Sequence, residues 1–133
     1  MTAQAFALPW PPTAKGRPRF VRATGRTYTP AETRSAEAAL RHLLIAQGAA
    51  AYPAGCPLVV VLTFRVRRPK SAPRRIVHPA TRPDLDQYVK LVLDAGNGII
   101  WPDDAQIVSL RAGKMFARDG DGGPSISLEV AEA

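Results

Sequence analysis

Leu58-Val-Val-Val-Leu-Thr-Phe-Arg-Val66 is the stretch around which this chain is organised. Val60, Leu62, Phe64 and Val66 fall on one side of an extended backbone, while Val59 and Val61 keep the other side apolar near its start. A run this rich in β-branched residues, apolar on both sides, belongs in the middle of a sheet. Upstream of it, Thr29-Pro-Ala-Glu32 reads as a helix start, with Thr29 as N-cap and Pro30 at the first helical position. Ala36, Ala39, Leu40, Leu43 and Leu44 carry an apolar stripe to about Gln47, and Gly48 and Pro53 stop it. Further back, Lys15-Gly-Arg-Pro-Arg-Phe-Val-Arg22 and Arg26-Thr-Tyr28 flank Ala23-Thr-Gly25, a loop or small hairpin with Gly25 supplying the positive φ. Phe6, Leu8 and Trp10 alternate with Ala5, Ala7 and Pro9 in a first short strand that Pro11-Pro12 ends.

Downstream, residues 67–83 hold Arg67, Arg68, Lys70, Arg74, Arg75 and Arg82 among prolines, a composition that cannot make a core and reads as a mobile basic loop. Pro83 opens a second helix, on which Leu85, Tyr88, Val89, Val92 and Ala95 face inward. Asp86, Lys90, Asp94 and Asn97 lie on the opposite stripe, and Gly96 and Gly98 close the helix. Ala105 to Phe116 reads as a long strand, followed by a Gly-rich turn over Asp119–Gly123 and a last strand with Ile126, Leu128 and Val130 on one face. The expectation is an α+β fold with a small mixed or antiparallel sheet and two main helices, in a single domain over residues 1–133.

The net charge of +7 hides an imbalance: residues 1–83 carry about +12 and residues 84–133 about −5. Such a positive field favours a polyanion, nucleic acid or an acidic membrane surface. A spanning helix is excluded, since there is no apolar run long enough. The N-terminus lacks the charged start and long apolar stretch of a signal peptide, so a cytoplasmic protein with no membrane association is expected. Cys56 is the only cysteine, which rules out an internal disulfide and a thiolate zinc cluster. His42 and His78 show no metal-ligand spacing and read as surface or structural histidines.

Against the basic background stands an acidic cluster. Residues 84–104 hold Asp84, Asp86, Asp94, Asp103 and Asp104 with Lys90. Each acid has an ordinary explanation: Asp84 as a helix cap, Asp86 and Lys90 as a surface pair, Asp103 and Asp104 as a turn before a strand. Their coincidence is less ordinary. A hydrolytic phosphodiesterase needs oxygen ligands for Mg²⁺, which takes carboxylates, water and substrate phosphate. Asp84, Asp86 and one of Asp103 or Asp104 meet that need. Lys90, one turn from Asp86, is placed to stabilise developing negative charge or to orient water. Asp94, two turns from Asp86, reads as an outlying surface residue or a partner of Lys90.

Arg82-Pro-Asp-Leu-Asp86, Lys90, Leu93-Asp-Ala95, Asn97-Gly98 and Trp101-Pro-Asp-Asp-Ala-Gln-Ile-Val108 resemble the RusA family of Holliday junction resolvases. The likeness extends more weakly to Leu8-Pro-Trp-Pro-Pro12, Lys15-Gly-Arg-Pro-Arg19 and Arg26-Thr-Tyr-Thr-Pro30. The resemblance implies a homodimer that nicks four-way DNA junctions symmetrically with Mg²⁺, Mn²⁺ being the alternative ion, during recombination and repair. It implies catalytic residues Asp84, Asp86, Lys90 and Asp104, with the metal on Asp84, Asp86 and Asp104 and with Asp103 as a neighbouring acid. Two positions depart from the family pattern: Gln87, where Asn is usual, puts local hydrogen bonding in question, and Gly96, where a bulkier apolar residue is common, is expected to loosen that helix end.

Phosphate contacts position a protein on nucleic acid, and the candidates for them are Arg17, Arg19 and Arg22 before the first helix and Lys70, Arg74 and Arg75 in the basic loop. Phe20 and Tyr28 interleave with the first group, and a packed hairpin is the expectation for them over stacking on an unpaired base. Lys114 and Arg111 are read as lying on one face of the strand after Asp104, within reach of the DNA backbone. Two rivals remain: a nuclease that prefers flaps, forks or D-loops, and a noncatalytic branched-DNA or RNA-binding protein.

Overall fold

A computed structural model describes residues 3–16, 19–28 and 30–133, the side chains of Arg19 and Tyr28 excepted. Arg17 and the proposed cap Thr29 lie outside the described residues. Strands β1 (Gln4–Leu8), β4 (Leu58–Val66), β5 (Ile107–Phe116) and β6 (Ser125–Glu132) form a four-stranded sheet in the order β1-β6-β4-β5. β4 therefore lies inside the sheet, antiparallel to β6 and parallel to β5. Parallel neighbours need a crossover, and helix α2 (Leu85–Gly96) supplies it, so the sheet is mixed. A separate hairpin, β2 (Arg19–Val21) with β3 (Arg26–Tyr28), turns through Gly25 at φ 67°.

Helix α1 (Ala31–Ala46) starts one residue later than its sequence suggested: Pro30 occupies the N-cap position and contributes no side-chain bond. Period-two alternation sends Phe6 and Leu8, Val60, Leu62 and Phe64, and Ile126, Leu128 and Val130 to one face of the sheet, all buried. Leu40 and Leu44 of α1 and Tyr88, Leu91 and Val92 of α2 belong to the same core, with the Tyr88 ring stacked on Phe64 at 5.4 Å between centroids. Each such side chain stabilises the fold by roughly 1.5–3 kcal/mol. Arg41 of α1 caps the end of α2, donating to the carbonyls of Ala95 (3.1 Å) and Asn97 (2.7 Å).

Two readings of the strand after α2 are corrected. The strand expected from Ala105 begins at Ile107, because residues 104–106 form a 3₁₀ turn capped by Asp103. Arg111 and Lys114 do not share a face: three apart in an extended strand, they point oppositely, Arg111 in register with Val61 and Lys114 with Phe64. The basic loop is bonded at several points. Phe116 N donates to Val77 O at 2.8 Å, and the Arg68 guanidinium lies 4.8 Å from the centre of the Phe116 ring while donating to Pro73 O.

Gly96 does not loosen the end of α2; it makes room for Trp101. The indole is fully buried, its Nε1–H donates to Leu93 O at 3.2 Å, and a Cβ on Gly96 would stand 2.5 Å from the ring. Gly98, at φ 79°, turns the chain so that its N–H meets Trp101 O at 2.8 Å. The residues before the 3₁₀ turn are thus locked beneath α2. Gly96→Ala should lower stability by roughly 1–2 kcal/mol, since overpacking against a buried ring outweighs the better helix propensity of Ala. A urea midpoint at or above that of the unsubstituted chain would show that the ring can yield.

Candidate active site

Asp84 occupies the N-cap of α2 in extended conformation, φ −68° and ψ 145°. The amide oxygen of Gln87 reaches back to accept from Asp84 N at 3.3 Å, so the glutamine closes the first turn itself. Asp84 and Asp86 are both exposed and, among the described residues, neither makes an ion pair. The chain before them is anchored from β5. Lys114 Nζ donates to Thr81 O at 2.6 Å and to Pro83 O at 2.9 Å, so this lysine holds the approach to Asp84.

The second acidic point is built by the 3₁₀ turn. The Asp103 carboxylate accepts from Ala105 N at 2.9 Å, and Gln106 Oε1 accepts from Asp103 N at 3.2 Å. Gln106 Nε2 donates to Pro53 O and Cys56 O, which ties the turn to the segment after α1. That segment carries Tyr52, fully buried, whose N–H donates to Ile100 O and whose hydroxyl donates to Val130 O. Asp103 is thereby engaged as a cap, and Asp104 stands half-buried beside α2.

Lys90 ties the second point to Asp94, further along α2 than Asp84 and Asp86. Its Nζ lies 2.9 Å from Asp94 Oδ1 and 3.6 Å from Asp104 Oδ2. Asp94 turns its other oxygen to Lys15 at 3.0 Å, and Lys15 donates to Glu37 of α1 at 2.5 Å. Four charged residues from the N-terminal segment and both helices thus line up on Asp104. Burial pushes the Asp94 carboxyl up, but hydrogen bonds from Lys90 and Lys15, and their charge, outweigh it and hold the carboxyl below its ordinary value. Lys90 is raised by its bond to Asp94, against burial and with the charge of Asp104 adding. Lys15 is lowered by burial, but bonds to Glu37 and Asp94 leave it raised.

Exposed Asp84 and Asp86 with half-buried Asp104 are hard oxygen donors, the class that Mg²⁺ takes, and that ion needs only one or two carboxylates when it keeps its waters. The donor chemistry fits such a cation. No three His, Cys, Asp or Glu side chains converge into a ready cage among the described residues. Of the other residues singled out, Arg22, Lys70, Arg74 and Arg75 are exposed, and Arg74 pairs with Asp119 at 3.2 Å. Arg68, Lys70, Arg74 and Arg118 line one open concavity beside the basic loop. Phe20 is not packed but 63% exposed on the hairpin. His42 and His78 are exposed. Lys15, Glu37 and Gln106 were not identified from sequence: a lysine in a basic run and a glutamate on a helix look like surface charges. Only the step of four from Lys90 to Asp94 marked part of the network.

A family model for the endodeoxyribonuclease RusA matches residues 9–129. The chain is also similar to "Uncharacterized protein YqaN" of Bacillus subtilis (strain 168), 33% identical over 66 residues, which are 50% of this chain. The match spans 44% of that relative's length. No helix among the described residues is long and apolar enough to cross a membrane.

The Asp94 carboxylate, lowered by its two lysines, contributes stability that is full above the ordinary value of 3.8 and is lost as pH falls through its depressed folded value. In acid titrations of stability, Asp94→Asn should flatten that limb; an unchanged acid limb would remove the network from the balance. Lys114→Met should reduce any phosphodiesterase activity while leaving the salt dependence of DNA binding unaltered. A phosphate contact would instead lower the salt slope by about 1.

Proposed function

This chain belongs to the RusA endodeoxyribonuclease family, and from that membership we propose that it is a divalent-metal-dependent endodeoxyribonuclease that resolves four-way DNA junctions by paired, symmetric nicks in recombination and repair. The observation that carries the reading is the approach of Lys90 on α2 to Asp104 of the 3₁₀ turn at 3.6 Å. Asp94 of α2 and Asp104 of the turn lie on either side of that ammonium, inside a protein charged +7. A protein that only bound DNA would gain little from carboxylates set where phosphate must pass.

Asp84, Asp86 and Asp104 would hold the metal, with Asp103 supporting the turn that presents Asp104. When bound, the divalent cation supplies Lewis-acid polarisation of the scissile phosphate. The chain's own residues do the rest. Lys90, 55% exposed at its side chain, can reach a phosphate and offset negative charge as it develops. Arg17, Arg19, Arg22, Lys70, Arg74 and Arg75 hold the DNA backbone on either side, and exposed Phe20 offers a ring on which an unpaired base can stack. Opposed nicks in a branched substrate call for two sites related by a twofold axis, so the working unit is a homodimer. Val108 and Leu110, 64% and 44% exposed on the open edge strand β5, are apolar surface that a second copy would cover.

The test is strand scission of end-labelled synthetic substrates, with Mg²⁺ or chelator, by the unsubstituted protein and Asp84→Asn. The substrates are a four-way junction, a flap, a fork and linear duplex. Paired symmetric nicks in the junction, abolished by chelator and by the substitution, are expected. Cleavage confined to flaps or forks would change the substrate. Tight, salt-sensitive junction binding without scission under any divalent metal would make this a binding protein.

A further inference from the structure

Lys90 is a long side chain on an exposed helix face, and its attraction to Asp104 at 3.6 Å is by itself a weak hold on an ammonium there. Side-chain freedom in a lysine is worth up to about 2 kcal/mol, so a fixed position needs a partner that is itself fixed. Asp94 meets that condition. Its side chain is only 19% exposed, it sits one helical turn beyond Lys90, and both its oxygens are occupied, one by Lys90 at 2.9 Å and one by Lys15 at 3.0 Å.

Lys15 is held in turn at three points. Its backbone N–H donates to Gln87 O at 2.9 Å, its ammonium donates to Glu37, and the next residue, Gly16, donates to the hydroxyl of buried Thr33 at 2.9 Å. Gly16 comes so close to α1 that a Cβ there would stand 2.8 Å from that hydroxyl. The N-terminal segment is therefore clamped between both helices, and it delivers a cation to the far side of Asp94. Charge alternates along the row Glu37, Lys15, Asp94, Lys90, Asp104, so each member is attracted to the one before it and the one after.

We propose that Asp94, backed by Lys15 and Glu37, is a positioning residue that aims Lys90 at Asp104 and the scissile phosphate. Asp94 itself does not touch substrate. This rests on the nuclease reading above, in which Lys90 meets the phosphate. It also turns the lysine of the Lys15-Gly-Arg-Pro-Arg19 run away from DNA binding and into the site.

The experiment combines three measurements on the full chain, for the unsubstituted protein, Asp94→Asn, Asp94→Glu, Lys90→Met and the double variant. Single-turnover nicking of the four-way junction at saturating protein should fall by roughly 10- to 100-fold in Asp94→Asn, the usual cost of losing a residue that orients a reacting group. Junction Kd should stay within about twofold, since no phosphate contact is lost. The double variant should nick no more slowly than Lys90→Met alone, because Asp94 acts only through that lysine. Asp94→Glu should recover part of the rate. The third measurement needs neither metal nor DNA: the Lys90 ammonium resonance, slowed in hydrogen exchange by its pairing, should be lost in Asp94→Asn while the urea midpoint shows a folded protein. Unchanged nicking in Asp94→Asn, losses that add in the double variant, or a Lys90 ammonium signal indifferent to Asp94 would each overturn the proposal. If the unsubstituted protein nicks nothing, the nuclease reading fails on its own, and the ammonium signal still decides whether Asp94 holds Lys90.

Discussion

The burial of Trp101 against Gly96 is the constraint on which the site depends. A Trp side chain contributes more apolar surface than any other residue, and here it is spent beneath the last turn of α2, with its N–H satisfied by Leu93 O. Because interiors are close-packed, the ring admits one placement of the chain that follows it. Pro102, Asp103 and Asp104 come directly after. The distance between the lysine face of α2 and the 3₁₀ turn is therefore a consequence of core packing, reached without any bond between the acidic residues themselves. Gln106 of the turn is tied to Pro53 and Cys56 on the other side, and Tyr52 of that same segment is bonded to Ile100.

Around that rigid frame the charges divide into two kinds. Arg22, Lys70, Arg74 and Arg75 are exposed on the hairpin and the loop between β4 and α2, where charges are screened by salt. Lys15, Lys90 and Lys114 are different: each is turned toward protein groups, two to carboxylates and one to backbone carbonyls. The carboxylate partners of Lys15 and Lys90 are partly buried, where the effective dielectric is lower and an ion pair holds its geometry better than on open surface. The same residue type thus stands on open surface and in the ion-pair network, and its protein partners separate the two.

The carboxylates show the matching division. Asp103 is committed to a cap and Asp94 to two lysines, while Asp84 and Asp86 stand exposed at the N-terminal turn of α2. There the helix dipole favours negative charge. The exposed acids are left open, while Asp103 and Asp94 are engaged with protein groups.

Much of this was legible in the residues. The alternation in Leu58–Val66 marked the central strand, Pro83 and the apolar stripe marked α2, and the spacing of Asp84, Asp86, Lys90 and Asp104 marked the candidate site, because strand and helix periods are properties of local backbone geometry. Contacts between segments distant in sequence were not legible. That β5 runs parallel to β4, that Arg111 and Lys114 part to opposite faces, and that Gly96 is cut to the shape of an indole all depend on which surfaces meet. Lys15 is the clearest case. In sequence it opens a basic run, and nothing local distinguishes it from its neighbours. Only the approach of Gly16 to Thr33 on α1 brings that lysine against Asp94 and Glu37, and an ion pair between residues so far apart in the chain exists only once packing has placed them together.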